Sequence, residues 1–247
     1  MIDDLSTSFI GRLRARDPAA WFELWENFGP VLRSQLARWG RGRIGAETVQ
    51  DLSQETLAAL ERAIDRHDPS QGARFSTWLL AIARYTLGDE IDRRMAHKRG
   101  GGKKPQSLER DTWALDGAPS PDAQYEQAVF DAKVEAALRR VEREAGFMLF
   151  SFYRMRVLEG RSGKDVARNL GTSEPTVSRR LAEVRGLLRR QLEQVFAKYS
   201  FTKEEMEEAA RNGLAGIPNK RGEAGFDEAV GEIYHRLCQR KAEEARG

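Results

Sequence analysis

The side chains that could do chemistry in this chain are grouped cations, not nucleophiles. The three histidines, His67, His97 and His235, lie far apart, and with the single cysteine, Cys238, they give no metal-ligand spacing and no internal disulfide. No nucleophile is paired with a histidine base. The glycine-rich stretch Arg99-Gly100-Gly101-Gly102-Lys103-Lys104 reads as a flexible basic linker, not a phosphate cradle. The cations, by contrast, fall in two islands. Residues 84–104 carry 7 basic and 3 acidic side chains, and residues 154–190 carry 10 and 4. Residues 105–153, between them, carry 5 basic and 9 acidic. With a formal net charge of only +3, this distribution suggests two contact points on one polyanion. The expected chemistry is noncovalent recognition of nucleic acid, with no catalytic residue and no cofactor.

The elements around the first island run from Asp51 to Arg94. At about 100° per residue, Val49, Leu52, Thr56, Leu57, Leu60, Ala63 and Ile64 share one helical face. Asp51, Gln54, Glu55, Ala58 and Arg62 point the other way. The segment from His67 to Arg74 has turn chemistry, with Pro69 fixing φ and Gly72 permitting φ > 0. A second helix then stacks Phe75, Trp78, Leu79, Ile82 and Thr86 on one face. Beyond it, Arg93, Arg94, Lys98, Arg99, Lys103 and Lys104 form a run without acids, suited to a nucleic-acid strand.

The motifs DLSQET, FSTWLLAIAR and IDRR, in that order and spacing, resemble domain two of the bacterial RNA polymerase sigma factors, and the compact extracytoplasmic-function (ECF) subfamily in particular. The segment RARDPAAWFELWENFGPVL is similar to the opening of the same domain. The resemblance implies an all-α protein whose partners are core RNA polymerase (its β′ coiled-coil and β flap) and promoter DNA. It implies that Asp51, Gln54 and Glu55 contact the β′ coiled-coil. Asp68, Gly72, Arg74 and Phe75 would belong to the loop that captures a flipped base, with Tyr85, Arg93 and Arg94 along the −10 element. The family often has asparagine at the position of Tyr85. A tyrosine offers one hydroxyl and a ring, not a paired donor and acceptor, so −10 preference is expected to differ. Whether an anti-sigma or other regulatory protein binds the chain stays open.

Upstream of that region, Phe9, Ile10 and Leu13 face inward from a helix over 6–16 that Ser6 or Thr7 caps. Asp17 caps and Pro18 opens a helix over 18–38 whose Trp21, Phe22, Leu24, Trp25, Phe28, Val31, Leu32, Leu36 and Trp39 read as core, with a kink at Gly29-Pro30. Glycines and prolines from Gly100 to Pro121 mark a linker. Residues 122–147 read as a helix, followed by the apolar run 147–158.

The second island holds a helix–turn–helix pattern. Ser162 caps a short helix through Leu170, Ala167 permits a close crossing, and Gly171 permits a left-handed turn. Ser173 then caps a helix with Pro175 in its first turn. Val177, Leu181, Val184 and Leu188 form its buried stripe, at spacings of 4, 3 and 4. Ser173, Glu174, Pro175, Thr176, Ser178, Arg179 and Arg180 are left at the end that enters a major groove in such proteins. This part resembles sigma domain four, which reads the −35 element, with Arg179 and Arg180 on phosphates or guanine edges.

The predicted organisation is domain two over 1–99, a linker over 100–121, domain four over 122–199 and a helical extension over 200–247. The extension is atypical, since most family members end near Leu192. Its last helix, about 226–243, carries Phe226, Val230, Ile233, Tyr234 and Leu237 as a stripe that needs a partner, in this chain or another. The extension is expected to regulate by covering a polymerase- or DNA-binding face. No apolar run approaches a membrane span and the N-terminus lacks a signal-peptide pattern, so a cytoplasmic protein without membrane contact is expected. Two rivals remain: a stand-alone helix–turn–helix regulator, and a sigma-like protein that binds polymerase without initiating.

Overall fold

The structure is a computed structural model and describes residues 4–42, 44–66, 73–98, 122–215 and 220–244. Among these the chain is all-α, as the resemblance implies. It divides into two compact units, residues 1–129 with 200–202, and residues 130–199 with 203–247. The predicted linker, 100–121, lies outside the described residues. The predicted boundary at 199/200 does not separate the tail, most of which groups with the second unit.

The first unit is built from α1 (Asp4–Arg14), α2 (Pro18–Gly40), α3 (Ala46–Ala63), a 3-10 turn (Ile64–Arg66) and α4 (Phe75–Lys98). α1 starts two residues earlier than predicted, and Ser6 is a buried residue within it, not its cap. At the start of α2, Asp17 accepts from the Ala19 amide at 2.9 Å and Pro18 follows where its missing N–H costs nothing. α2 continues through Pro30 to Gly40. Leu24, Phe28, Leu32 and Leu36 of α2 are buried, as are Leu52, Thr56 and Leu60 of α3 and Phe75, Trp78, Leu79 and Ile82 of α4. The predicted aromatic core is only partly met: Phe22 is 66% exposed, and Trp21, Trp25 and Trp39 are half-buried. Trp25 lies along its own helix over Gly29, where a Cβ would come within 2.9 Å of the indole, and Arg33 stacks on that ring. Phe75 packs at ring-centroid distances of 4.8 Å from Phe28 and 5.8 Å from Trp78, and Phe201 closes the cluster.

In α5 (Ala123–Tyr153) the helical path breaks at Gly146, whose φ of 72° is open to glycine at little cost. That break falls where the sequence shifts from mixed to apolar. A π-helical segment (Arg154–Leu158) follows, then α6 (Gly163–Asn169) and α7 (Glu174–Lys198). The tail forms two single turns, α8 (Lys203–Met206) and α9 (Glu208–Arg211), and a long α10 (Lys220–Glu244). α10 begins six residues before the predicted start, running through Gly222 and Gly225. Its partner is the second unit itself, where it packs on the π segment with Phe226, Val230, Ile233 and Leu237 buried.

Candidate nucleic-acid interface

In the first unit, burying Leu52, Thr56 and Leu60 leaves Asp51, Gln54 and Glu55 exposed together on the opposite face of α3. On α4 the same logic exposes Arg84, Tyr85, Arg93 and Arg94. Tyr85 is 39% exposed, and partial burial first, then the Asp89 charge, raises its phenol pKa. It stays a neutral donor. Arg93 and Arg94 are forked by one carboxylate: Glu90 accepts from Arg93 Nη1 at 2.6 Å and from Arg94 Nε at 2.7 Å. Arg94 also donates from Nη2 to Thr48 Oγ1 of α3 at 2.7 Å. The i,i+3 and i,i+4 spacing of Glu90 to the arginines is a signal that sequence reading could have used. The Thr48 bond has no local signal.

Two predicted strand contacts change character. Phe75 is fully buried in the aromatic cluster, so its ring is core and presents nothing to a strand. Its place as first residue of α4, beside Phe28 and Trp78, dictates this. Arg74 is half-buried and paired with Glu126 at 3.0 Å. Asp68 and Gly72 lie outside the described residues.

In the second unit, Ser162 accepts from the Asp165 amide at 3.1 Å and donates to the Asp165 carboxylate at 2.6 Å, so the cap is reciprocal. Ala167 and Val166 are buried, and Gly171, at φ 61°, turns the chain so that the Thr172 amide reaches the Ala167 carbonyl at 2.9 Å. Ser173 stands at the N-cap position of α7 but its hydroxyl makes no cap bond; it pairs with Thr176 Oγ1 at 3.0 Å. The Thr176 hydroxyl competes for the Ser173 side chain. Val177, Leu181, Val184 and Leu188 are buried, as their spacing predicts. Ser173, Glu174, Pro175, Ser178, Arg179 and Arg180 are exposed and Thr176 is half-buried. Arg180 pairs with Glu183 at 2.9 Å, while Arg179 makes no ion pair among the described residues.

The tail is fixed by charge as well as by its apolar stripe. Arg185 of α7 donates from Nε and Nη2 to Asp227 at 2.9 and 2.6 Å and from Nη1 to Glu223 at 3.0 Å. The Tyr153 hydroxyl donates to Asp227 at 3.4 Å. Asp131, fully buried, takes Arg236 and Arg240 at 3.0 and 2.9 Å. Buried Lys133 lies 3.9 Å from both Glu205 and Glu208. Within the unit that α10 packs on, Arg179 and Arg180 stay exposed. No metal-holding cluster is found among the described residues, and no helix is long and apolar enough to cross a membrane.

The first unit is all-α, with an acidic exposed face on α3 and exposed arginines on α4 around an aromatic core. Residues 24–96 match the family model described as sigma-70 region 2. The chain thus carries a stretch, from α2 to α4, that matches sigma-70 region 2. The comparison with curated proteins returned no match. The matched span contains every residue assigned above to polymerase docking and the −10 element, and none of those assigned to the −35 element.

Proposed function

We propose that this protein is an initiation factor of the extracytoplasmic-function type that docks on core RNA polymerase and directs it to promoters through two readers. Asp51, Gln54 and Glu55 dock on the β′ coiled-coil. Tyr85, Arg93 and Arg94 line the −10 strand. α6, the turn and α7 form a helix–turn–helix in which Glu174, Ser178, Arg179 and Arg180 read the −35 element. The observation that carries this reading is the sigma-70 region 2 match over α2 to α4, where one helix exposes the acidic docking face and the next exposes the arginines. Sigma factors act by binding, so the role asks for no catalytic group. Melting must repay a few kcal/mol of unstacking per extracted base, which cations and stacking surfaces supply.

The test is run-off transcription with purified core polymerase on a genomic fragment library. Defined start sites are expected, with shared sequences upstream at both elements. Core binding without transcripts would favour a non-initiating polymerase binder. Duplex binding with no core affinity would return the chain to a stand-alone regulator.

A further inference from the structure

Arg94 is tied on two of its edges before any strand is present. Nε donates to Glu90 at 2.7 Å and Nη2 donates to Thr48 Oγ1 at 2.7 Å, across 46 residues of sequence. The Arg94 side chain is 44% exposed, and Glu90, at 13%, also grips Arg93. Nη1 of Arg94 makes no bond among the described residues. A free arginine loses much rotamer freedom when it meets a phosphate or a base edge. One whose plane is already held gives up less on binding. Glu90 cannot be assigned that role cleanly, because its charge also repels a phosphate. Thr48 is neutral and acts only through its hydroxyl.

We propose that Thr48 is a positioning residue for the −10 strand: its hydroxyl on α3 fixes the guanidinium of Arg94 on α4 so that the Nη1 edge is presented to the strand. This rests on Arg94 being a strand contact. Thr48 itself touches no nucleotide.

The experiment uses holoenzyme assembled from core polymerase and the full chain. The probe is a labelled non-template single strand carrying the −10 sequence found upstream of a mapped start site, followed by anisotropy over a salt series. Thr48→Val keeps shape and removes the acceptor; it is expected to weaken strand binding by roughly three- to tenfold. Thr48→Ser restores the acceptor and is expected to bind nearly as the parent does. Arg94→Ala is expected to weaken binding and to lower the salt slope by about 0.7, whereas Thr48→Val leaves the slope unchanged. In the Arg94→Ala background Thr48→Val should add nothing, because the two act as one unit. Core affinity of Thr48→Val should equal the parent's. Full strand affinity in Thr48→Val, additivity with Arg94→Ala, or a loss of core affinity would each overturn the inference alone. Full affinity and slope in Arg94→Ala would overturn the strand role of Arg94 and the inference with it, as would failure to form a holoenzyme.

Discussion

Hydroxyl groups in this protein take their roles from what competes for them. Ser162 caps α6 because Asp165, three residues on, returns the bond, a local pairing that the sequence displays. Ser173 has the same position relative to α7, but Thr176 takes its hydroxyl, and position alone could not reveal that. Tyr125 shows the cost of burial. Its ring is 2% exposed and its hydroxyl donates to the Ser76 carbonyl at 3.3 Å. Burial, and secondarily the Glu126 charge, pushes its pKa far above the ordinary 10.0. The folded state therefore holds the phenol neutral at pH values where the unfolded chain ionises. The resulting stability is fully present below about pH 10 and is lost as pH rises above it toward the folded value. Thermal unfolding across the alkaline range should show a steeper fall in Tm for the parent than for Tyr125→Phe. Parallel curves would mean that Tyr125 contributes nothing to alkaline unfolding.

Among the elements, those whose partner lies within the same short stretch were legible. The stripes of α3, α4 and α7 were read from 3.6-residue periodicity and are buried as expected. The aromatic helix α2 was only partly legible: with Trp21, Phe22, Trp25 and Phe28 within about two turns, apolar type does not choose a face, and Phe22 is exposed. The start of α10 was hidden by Gly222 and Gly225, whose propensity cost is outweighed by tertiary packing further along the helix. The seam of α10 carries ion pairs that no spacing shows, since Arg185 and Asp227 lie 42 residues apart. The Arg185 side chain is 12% exposed, and replacing Asp227 with alanine leaves it two donors short and the Tyr153 hydroxyl without that acceptor. Asp227→Ala should cost about 2 kcal/mol, below a fully buried pair because Glu223 still holds Nη1. Glu223→Ala should cost under about 1 kcal/mol. Urea unfolding of the full chain measures both, and equal costs would assign the latch to charge alone and not to the forked geometry.

For the whole molecule, the two basic islands that stood out in the sequence belong to different compact units, and the family match reaches only the first, as far as Ala96. If polymerase docking and promoter reading are carried by separate surfaces, they should fail separately. Glu55 is exposed on α3, away from that helix's buried stripe, so Glu55→Lys should lower core affinity at least tenfold while leaving far-ultraviolet circular dichroism unchanged. Loss of helix content as well would make Glu55 structural. Arg179 is exposed on α7 without an ion pair among the described residues. As a −35 contact, its replacement by alanine should leave core affinity intact and cost about 1–3 kcal/mol in promoter binding if it reads a base edge. If it meets only a phosphate, the loss should be uniform across sequences and the duplex salt slope should fall by about 0.9. The two variants, assayed side by side for core affinity and for promoter affinity of the assembled holoenzyme, distinguish a polymerase-bound double reader from a protein whose second unit binds DNA on its own. In the double reader, Glu55→Lys abolishes transcript from every promoter at limiting protein, and Arg179→Ala reduces it most where the upstream element departs from the shared sequence. In the stand-alone case, Glu55→Lys would leave duplex binding and its consequences untouched.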